Sequence, residues 1–140
     1  MAATISKFGP GTLKIGEVGT EIDISCQIEF ASVAWDKTKD DDVTVLCGDV
    51  VTGATTRTAT LSGHLFQDTA DAAGIVQASW GALKGQTVPF QFVPNTADDM
   101  AVSGEVTVEP ITVGSGEAGA NMASDFEWDI VGEPTLAALP

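Results

Sequence analysis

The sequence predicts a mainly β fold, an antiparallel β-sandwich or partial barrel with one flanking α-helix. Three observations carry the prediction. Apolar residues recur at every second position through most of the 140-residue chain, the period of a strand with one dry and one wet face. One segment alone shifts to helical spacing. The segments run β-β-(β)-β-α-β-β-β, which suits an antiparallel sheet with a single helix packed on it.

Residues 12–18 read as a short first strand. Residues 20–30 alternate almost ideally: Ile22, Ile24, Cys26, Ile28 and Phe30 point one way, and Glu21, Asp23, Ser25, Gln27 and Glu29 the other. Val43, Val45 and Cys47 suggest a further short strand. Across residues 56–66, Ala59, Leu61, Gly63 and Leu65 alternate with Thr58, Thr60, Ser62 and His64, and threonine favours a pleated surface. Ile75, Val76, Ser79, Trp80 and Leu83 then fall at helical spacing. They predict one amphipathic helix over residues 70–84, with Asp68, Thr69 or Asp71 as N-cap and Gly85 just past its end.

Strands resume with Val88, Phe90 and Phe92, ending at Pro94-Asn95. Pro89 predicts an edge position or a strand start there. Val102, Gly104, Val106 and Val108 alternate with Ser103, Glu105, Thr107 and Glu109 until Pro110. Met122, Phe126, Trp128 and Ile130 alternate with Asp125, Glu127 and Asp129. Loops are expected at residues 36–42, 49–55, 96–99 and 114–119. The whole of residues 1–140 reads as one domain, with residues 1–11 as an N-terminal arm and 132–140 as a C-terminal arm. The latter carries Leu136 and Leu139 without a pattern that would bury them.

Twenty acids face six bases, giving a net charge of −14, and beyond Lys84 there are nine acids and no base. Phosphate binding needs clustered Lys and Arg, so nucleic-acid binding is excluded as a main role. Anionic membranes are disfavoured for the same reason. No basic stretch followed by an apolar one opens the chain, and no apolar run approaches the ~20 residues of a membrane span. Production in the cytoplasm is the expectation. Cys26 and Cys47, with no CxxC spacing, are expected to be reduced, buried small hydrophobes.

No motif points to chemistry. Residues 114–119 match GxGxxG, but a β-alternating segment follows where a dinucleotide site needs a helix, and Glu117 would repel phosphates. Asp40, Asp41 and Asp42 lack the spacing of a calcium loop and are interleaved with Lys37 and Lys39. His64 is the only histidine, set on the polar side of its strand rather than in a triad pattern. Trp35, Trp80 and Trp128 are widely spaced, better suited to core and interface anchors than to a sugar platform. No enzyme activity, cofactor, metal or catalytic residue is expected.

Several stretches together resemble the major tail tube proteins of siphophages, the long-tailed non-contractile bacteriophages, and those infecting actinobacteria in particular. They are Cys26 in its alternating strand, Val45-Leu46-Cys47-Gly48-Asp49, and Leu61-Ser62-Gly63-His64-Leu65-Phe66-Gln67-Asp68 leading into the helix. Residues 80–85, the strand Val88-Pro89-Phe90-Gln91-Phe92-Val93-Pro94-Asn95, residues 104–113, and Glu127-Trp128 with Val131-Gly132 and Pro134-Thr135 follow in the same order. The likeness spans residues 12–136.

The resemblance implies a β-sandwich whose inner sheets join, in hexameric rings, into a shared β-barrel. The rings would stack into a hollow tube that conducts the genome, which places the protein in the virion. The implied partners are other copies of itself, a tape measure protein inside the tube, terminator and distal tail proteins at the ends, and DNA that passes without specific binding. A tail terminator, distal tail or other neck protein on the same fold is the alternative, and a carbohydrate-binding β-sandwich a more distant one.

Within that picture the acidic strand faces are the candidates for the channel wall: Asp23, Glu29, Glu105, Glu109, Asp125, Glu127 and Asp129. Trp35, Asp36, Lys37, Thr38, Lys39, Asp40, Asp41 and Asp42 are the candidates for a loop reaching the next ring.

Overall fold

The computed structural model describes residues 5–17, 19–70, 74–114 and 117–138. Its elements are β1 (Thr12–Ile15), β2 (Ile22–Asp23), β3 (Ile28–Lys39), β4 (Val43–Thr44), β5 (Val50–Val51), β6 (Thr55–Phe66), α1 (Ile75–Trp80), β7 (Thr87–Val93), β8 (Met100–Thr107) and β9 (Ala123–Ala138). Seven strands form one antiparallel sheet in the order β2-β1-β7-β8-β9-β6-β3, while β4 and β5 pair only with each other. The fold is mainly β, as the alternation predicts. The sheet is open, with β2 and β3 at its edges.

Residues opposed across a ladder share a face, and the register sorts the chain into two faces. Leu13 opposes Phe92, Val88 opposes Val106, Ile130 opposes Ala59, and Trp128 opposes Leu61. These residues belong to one buried cluster, over which Ile75 and Val76 of α1 and Val108 and Ile111 of the following segment are laid. Trp128 is only 2% exposed. Its ring lies 4.7 Å from that of Phe126, and its Nε1–H donates to the Glu109 carbonyl at 3.1 Å. That bond satisfies the one polar atom a buried indole brings with it.

β9 holds the sheet together. Residues 123–130 pair with β6, and residues 130–138 pair with β8. Where the partners change, Gly132, Glu133 and Pro134 together oppose the single residue Gly104, two residues more than a regular ladder holds: Glu105 faces Val131 while Ser103 already faces Thr135. Gly132 has φ +73°, a conformation only glycine adopts without cost. A bulge of this kind bends a strand and lets it turn a corner between two packed sheets. One continuous ladder therefore wraps a single core from both sides.

Several expectations are corrected. Residues 20–30 are not one strand. Asp23 accepts hydrogen bonds from the Ser25 N–H and Oγ–H, and the Gln27 N–H returns to the Ile24 carbonyl. An Asx-type turn thus breaks the alternation between β2 and β3, and Cys26, carried on it, is exposed. Cys47 is exposed as well, beyond β4. Neither thiol is a buried hydrophobe.

The helix is a short piece of the one expected over residues 70–84. Asp68 holds the Ala70 N–H rather than capping, the N-cap is Gly74 without a side-chain bond, and the helix stops at Gly81. Glycine costs about 1 kcal/mol relative to alanine inside a helix, so Gly81 ends it well before Gly85. Asp71 lies outside the described residues.

Pro89 sits on an interior strand, not an edge. β1 ends at Ile15 opposite Phe90, and the Pro89 carbonyl accepts from Gly16 N–H beyond that end. Pro89 thus faces Gly16 at the very end of the β1–β7 ladder, where its missing N–H removes only a terminal bond. Residues 132–138, expected as a patternless arm, continue β9 and pair with β8; Leu139 and Pro140 lie outside the described residues. Of the N-terminal arm, residues 5–11 precede β1 and are fastened at Gly9 N–H to the Pro94 carbonyl and at the Lys7 carbonyl to Asn95 Nδ2–H. Residues 1–4 and Val18 are likewise not described.

Candidate functional site

The face of the sheet turned away from the core gathers most of the acidic candidates. Asp23 opposes Lys14, Glu105 opposes Pro89, Asp125 opposes His64, Glu127 opposes Ser62 and Asp129 opposes Thr60. All lie on the polar side of the register. Glu29, at the irregularity between Ile28 and Phe30, reaches the same side, its Oε2 lying 3.7 Å from His64 Nε2.

Asp36, opposite Thr58, joins this face too. The three aspartates that follow it suggest a loop, but Asp36 is paired in β3. Glu109 does not belong to the face: β8 ends at Thr107, and the chain then crosses the core, where the Glu109 carbonyl meets Trp128. Lys14 is the one base that a strand of the sheet contributes to the acidic side, since Lys37, Lys39 and Arg57 fall on the opposite register.

Two local clusters organise the face. Asp23 has its carboxyl held below its ordinary value, first by the Ser25 hydroxyl, against burial as the next largest effect, with the Ser25 N–H and the nearby Lys14 ammonium adding to the lowering. His64 stands between two carboxylates, with Nδ1 2.7 Å from Asp125 Oδ1 and Nε2 3.7 Å from Glu29 Oε2. Its ring stacks on Phe30 at 5.7 Å and meets Phe66 edge-on at 6.0 Å. The cluster ties β3, β6 and β9 together on the solvent side. Ser62 bonds to Ser32, at 3.4 Å, rather than to His64.

The expected loop at residues 35–42 is mostly strand. Trp35 to Lys39 pair with residues 55–59 of β6, and only Asp40, Asp41 and Asp42 are irregular. Beyond Ala59 and its partner Ile130, β6 has β3 as its only neighbour. The two strands project as a free ribbon for roughly 13 Å, at ~3.3 Å per residue, tipped by the β4–β5 hairpin.

Residues 34–58 are exposed, apart from the half-buried Gly53. The tip is internally fixed all the same. Asp40 N–H donates to the Ala54 carbonyl, Gly53 N–H to Asp42 Oδ1 at 2.8 Å, and Val45 N–H to the Asp49 carbonyl. The three tryptophans part company: Trp128 is core, Trp35 lies on the ribbon at 51% exposure, and Trp80 lies on α1 at 57% with Nε1–H donating to the Ile111 carbonyl. In the GxGxxG stretch, Ser115 and Gly116 lie outside the described residues, and the regular element that follows is β9.

An open antiparallel sheet folded around its core by one shared strand, with a short helix laid on it, is an architecture with known counterparts. No protein-family model and no curated protein matches the sequence. Among solved structures, the chain is similar to one in the virion of a native gene transfer agent (GTA) particle, with a TM-score of 0.61 and 20% identity over 90% of this chain and 95% of that one. It is also similar to one in the tail of an empty GTA particle of C6 symmetry, with a TM-score of 0.64 and 20% identity over 91% of this chain and 95% of that one. At that identity the likeness is one of fold.

Proposed function

We propose that the chain is a structural, non-enzymatic subunit of a phage-like tail, and specifically the tail tube subunit of a long-tailed, non-contractile particle of the siphophage type. In this reading it polymerises as stacked hexameric rings around a channel for DNA. The observation that carries the reading is the fold shared, over nine-tenths of the chain, with a component of a C6-symmetric tail. Two features of the chain support it. The edge formed by β3 is open along a strand of 12 residues, and a long open edge invites pairing with another chain unless a neighbour covers it. Repeated head-to-tail contacts close into rings or extend as filaments.

The acidic face gains a use in such a tube. Glu29, Asp125, Glu127 and Asp129 on the β3-β6-β9 end of the sheet, with Glu105 beside them on β8, would line a wall to which a polyanion does not adhere, so that DNA slides without being held. Before DNA enters, the same wall would face a tape measure protein. Terminator and distal tail proteins would close the two ends.

Negative-stain imaging of the purified chain tests the role. Long tubes support it. Isolated rings would instead assign the chain to a terminator or distal tail position, and a monomer would remove the reading. Genome ejection tests the wall: Glu105→Lys with Asp129→Lys, in particles that still assemble, should slow or stall ejection. Unchanged ejection, with both lysines shown to face the channel, would sink that part of the proposal.

A further inference from the structure

The ribbon formed by the outer parts of β3 and β6 carries a charge pattern that its own chain leaves unanswered. Up to Ala59 and Leu61, one register of β6 is core. One step further out the same register turns cationic: Arg57 opposes Lys37, next to Trp35 opposite Ala59 and Lys39 opposite Thr55. Three of the chain's six bases thus share one face of a two-stranded ribbon.

Lys37 and Arg57 are like charges placed directly across a ladder, an arrangement that destabilises a sheet. Among the described residues no carboxylate lies within ion-pair distance of either; the ribbon's one ion pair joins Lys39 to Asp42 at 3.7 Å, with both groups half exposed. A surface pair of that kind contributes little.

The far end of the ribbon has the opposite character. Asp40, Asp41, Asp42 and Asp49 crowd the tip, and no base occurs between Lys39 and Arg57. Val43, Val45, Leu46, Val50 and Val51 are all exposed there. The stem is therefore cationic with one aromatic ring, and the tip is anionic with an apolar turn. The two are complementary, but they sit on one rigid element and cannot fold back onto each other.

We infer that the acidic tip of one copy's ribbon seats on the cationic stem face of a second copy, with Leu46 against Trp35 and the tip aspartates against Lys37 and Arg57. The inference rests on the reading of the chain as a self-assembling subunit and names the contact. In a ring or filament each stem takes the tip of the next copy, so the contact is head-to-tail and repeats from copy to copy. It also answers the like-charge pair, since an anionic partner turns a repulsion into a bridging site. A long polyanion suits the stem less well, because the aspartates of the same ribbon lie one step away and would repel it, whereas a compact tip ends where they begin.

Charge exchange tests the contact on the full chain. Lys37→Glu with Arg57→Glu should raise the concentration needed for assembly roughly tenfold or more, as expected when close charge pairs at an interface are reversed. Adding Asp41→Lys and Asp49→Lys should restore assembly to within a few-fold of the wild type. All four side chains are exposed, and thermal melts of each variant check that the fold is kept.

A covalent readout stands apart from folding. A short bismaleimide should join Cys47 of one copy to a Trp35→Cys variant of another, with Cys26→Ser in both and Cys47→Ser in the second. Assembly by the stem-reversed variant at wild-type concentration would overturn the contact and leave the tube reading standing. So would failure of the exchanged variant to recover, or absence of the cross-link in assembled protein. Wild-type binding to duplex DNA that disappears on stem reversal would assign the stem to phosphate and overturn the inference by another route. A wild-type chain that stays monomeric would overturn the tube reading and the contact together.

Discussion

The two parts of β6 lie on one continuous strand, yet they live in different surroundings. In residues 59–66 the strand is flanked by β9 and β3, and Ala59, Leu61, Gly63 and Leu65 are buried. In residues 55–58 β3 is the only neighbour, and every side chain is exposed. Alternation says which residues share a face. It does not say whether anything covers that face. Burial is decided by β9, which arrives from elsewhere in the sequence and stops pairing with β6 at Ala59. The inner half is therefore a matter of stability, and the outer half is free to serve contacts with other molecules.

The largest test of that contrast lies on β9 opposite the inner half. Trp128→Ala should cost about 3–5 kcal/mol, as large aromatic deletions in a core do, and it strands the Glu109 carbonyl. Denaturant titration measures it; a loss below about 1 kcal/mol would mean that the inner half is not the core described.

Next comes Gly63→Ala. A Cβ there would lie 2.5 Å from the Phe30 carbonyl oxygen and 3.0 Å from Ala31 Cα. The backbones of β3 and β6 approach too closely for a side chain, so overpacking of about 1–3 kcal/mol is expected, with faster hydrogen exchange along β3.

A smaller effect comes from the sheet's far edge. The Asp23 carboxyl titrates lower in the folded state than in the unfolded chain. Its contribution is therefore complete above an unfolded value of about 3.9 and is lost as pH falls through the folded value. The stability difference between wild type and Asp23→Asn should be constant near neutral pH and shrink below about pH 4. A difference that grows on acidification would contradict the Asp23–Ser25 turn.

The smallest effect is expected on the outer half. Arg57→Ala should leave stability within about 0.5 kcal/mol of wild type, and a slight gain would fit the removal of its opposition to Lys37. A cost comparable to that of Trp128→Ala would erase the distinction between the halves.

How much of this is legible in the sequence varies with how local the cause is. The inward and outward residues of β6, β7 and β9 follow from period alone, and so does the common face of Asp125, Glu127 and Asp129. The break at Ser25 does not, because Asp23 and Ser25 fit the polar phase of a strand as well as they fit a turn. The length of α1 was overread because Leu83 packs on the core from a turn, mimicking one more helical repeat. The run Gly132 to Ala138 has no legible core pattern because the bulge at Gly132, Glu133 and Pro134 interrupts the alternation and Leu136, beyond it, stays exposed. Glu109 matched the acidic alternation, but Pro110 had already ended the strand. The charges of Trp35 to Lys39 suggest a loop, although each residue faces a defined partner on β6. The like-charge pairing of Lys37 with Arg57 depends on a register that only the folded hairpin reveals.

Since β9 exchanges β6 for β8 at Ile130, the ladder carries load between the two parts of the sheet through that one strand. A pull that separates the two halves acts along a strand whose ladder bonds must slide and fail together, which resists force well. A pull on the ribbon opens its pairs one after another from the tip, which resists it poorly. A filament of such subunits would be stiff within each subunit and would give first where the subunits touch.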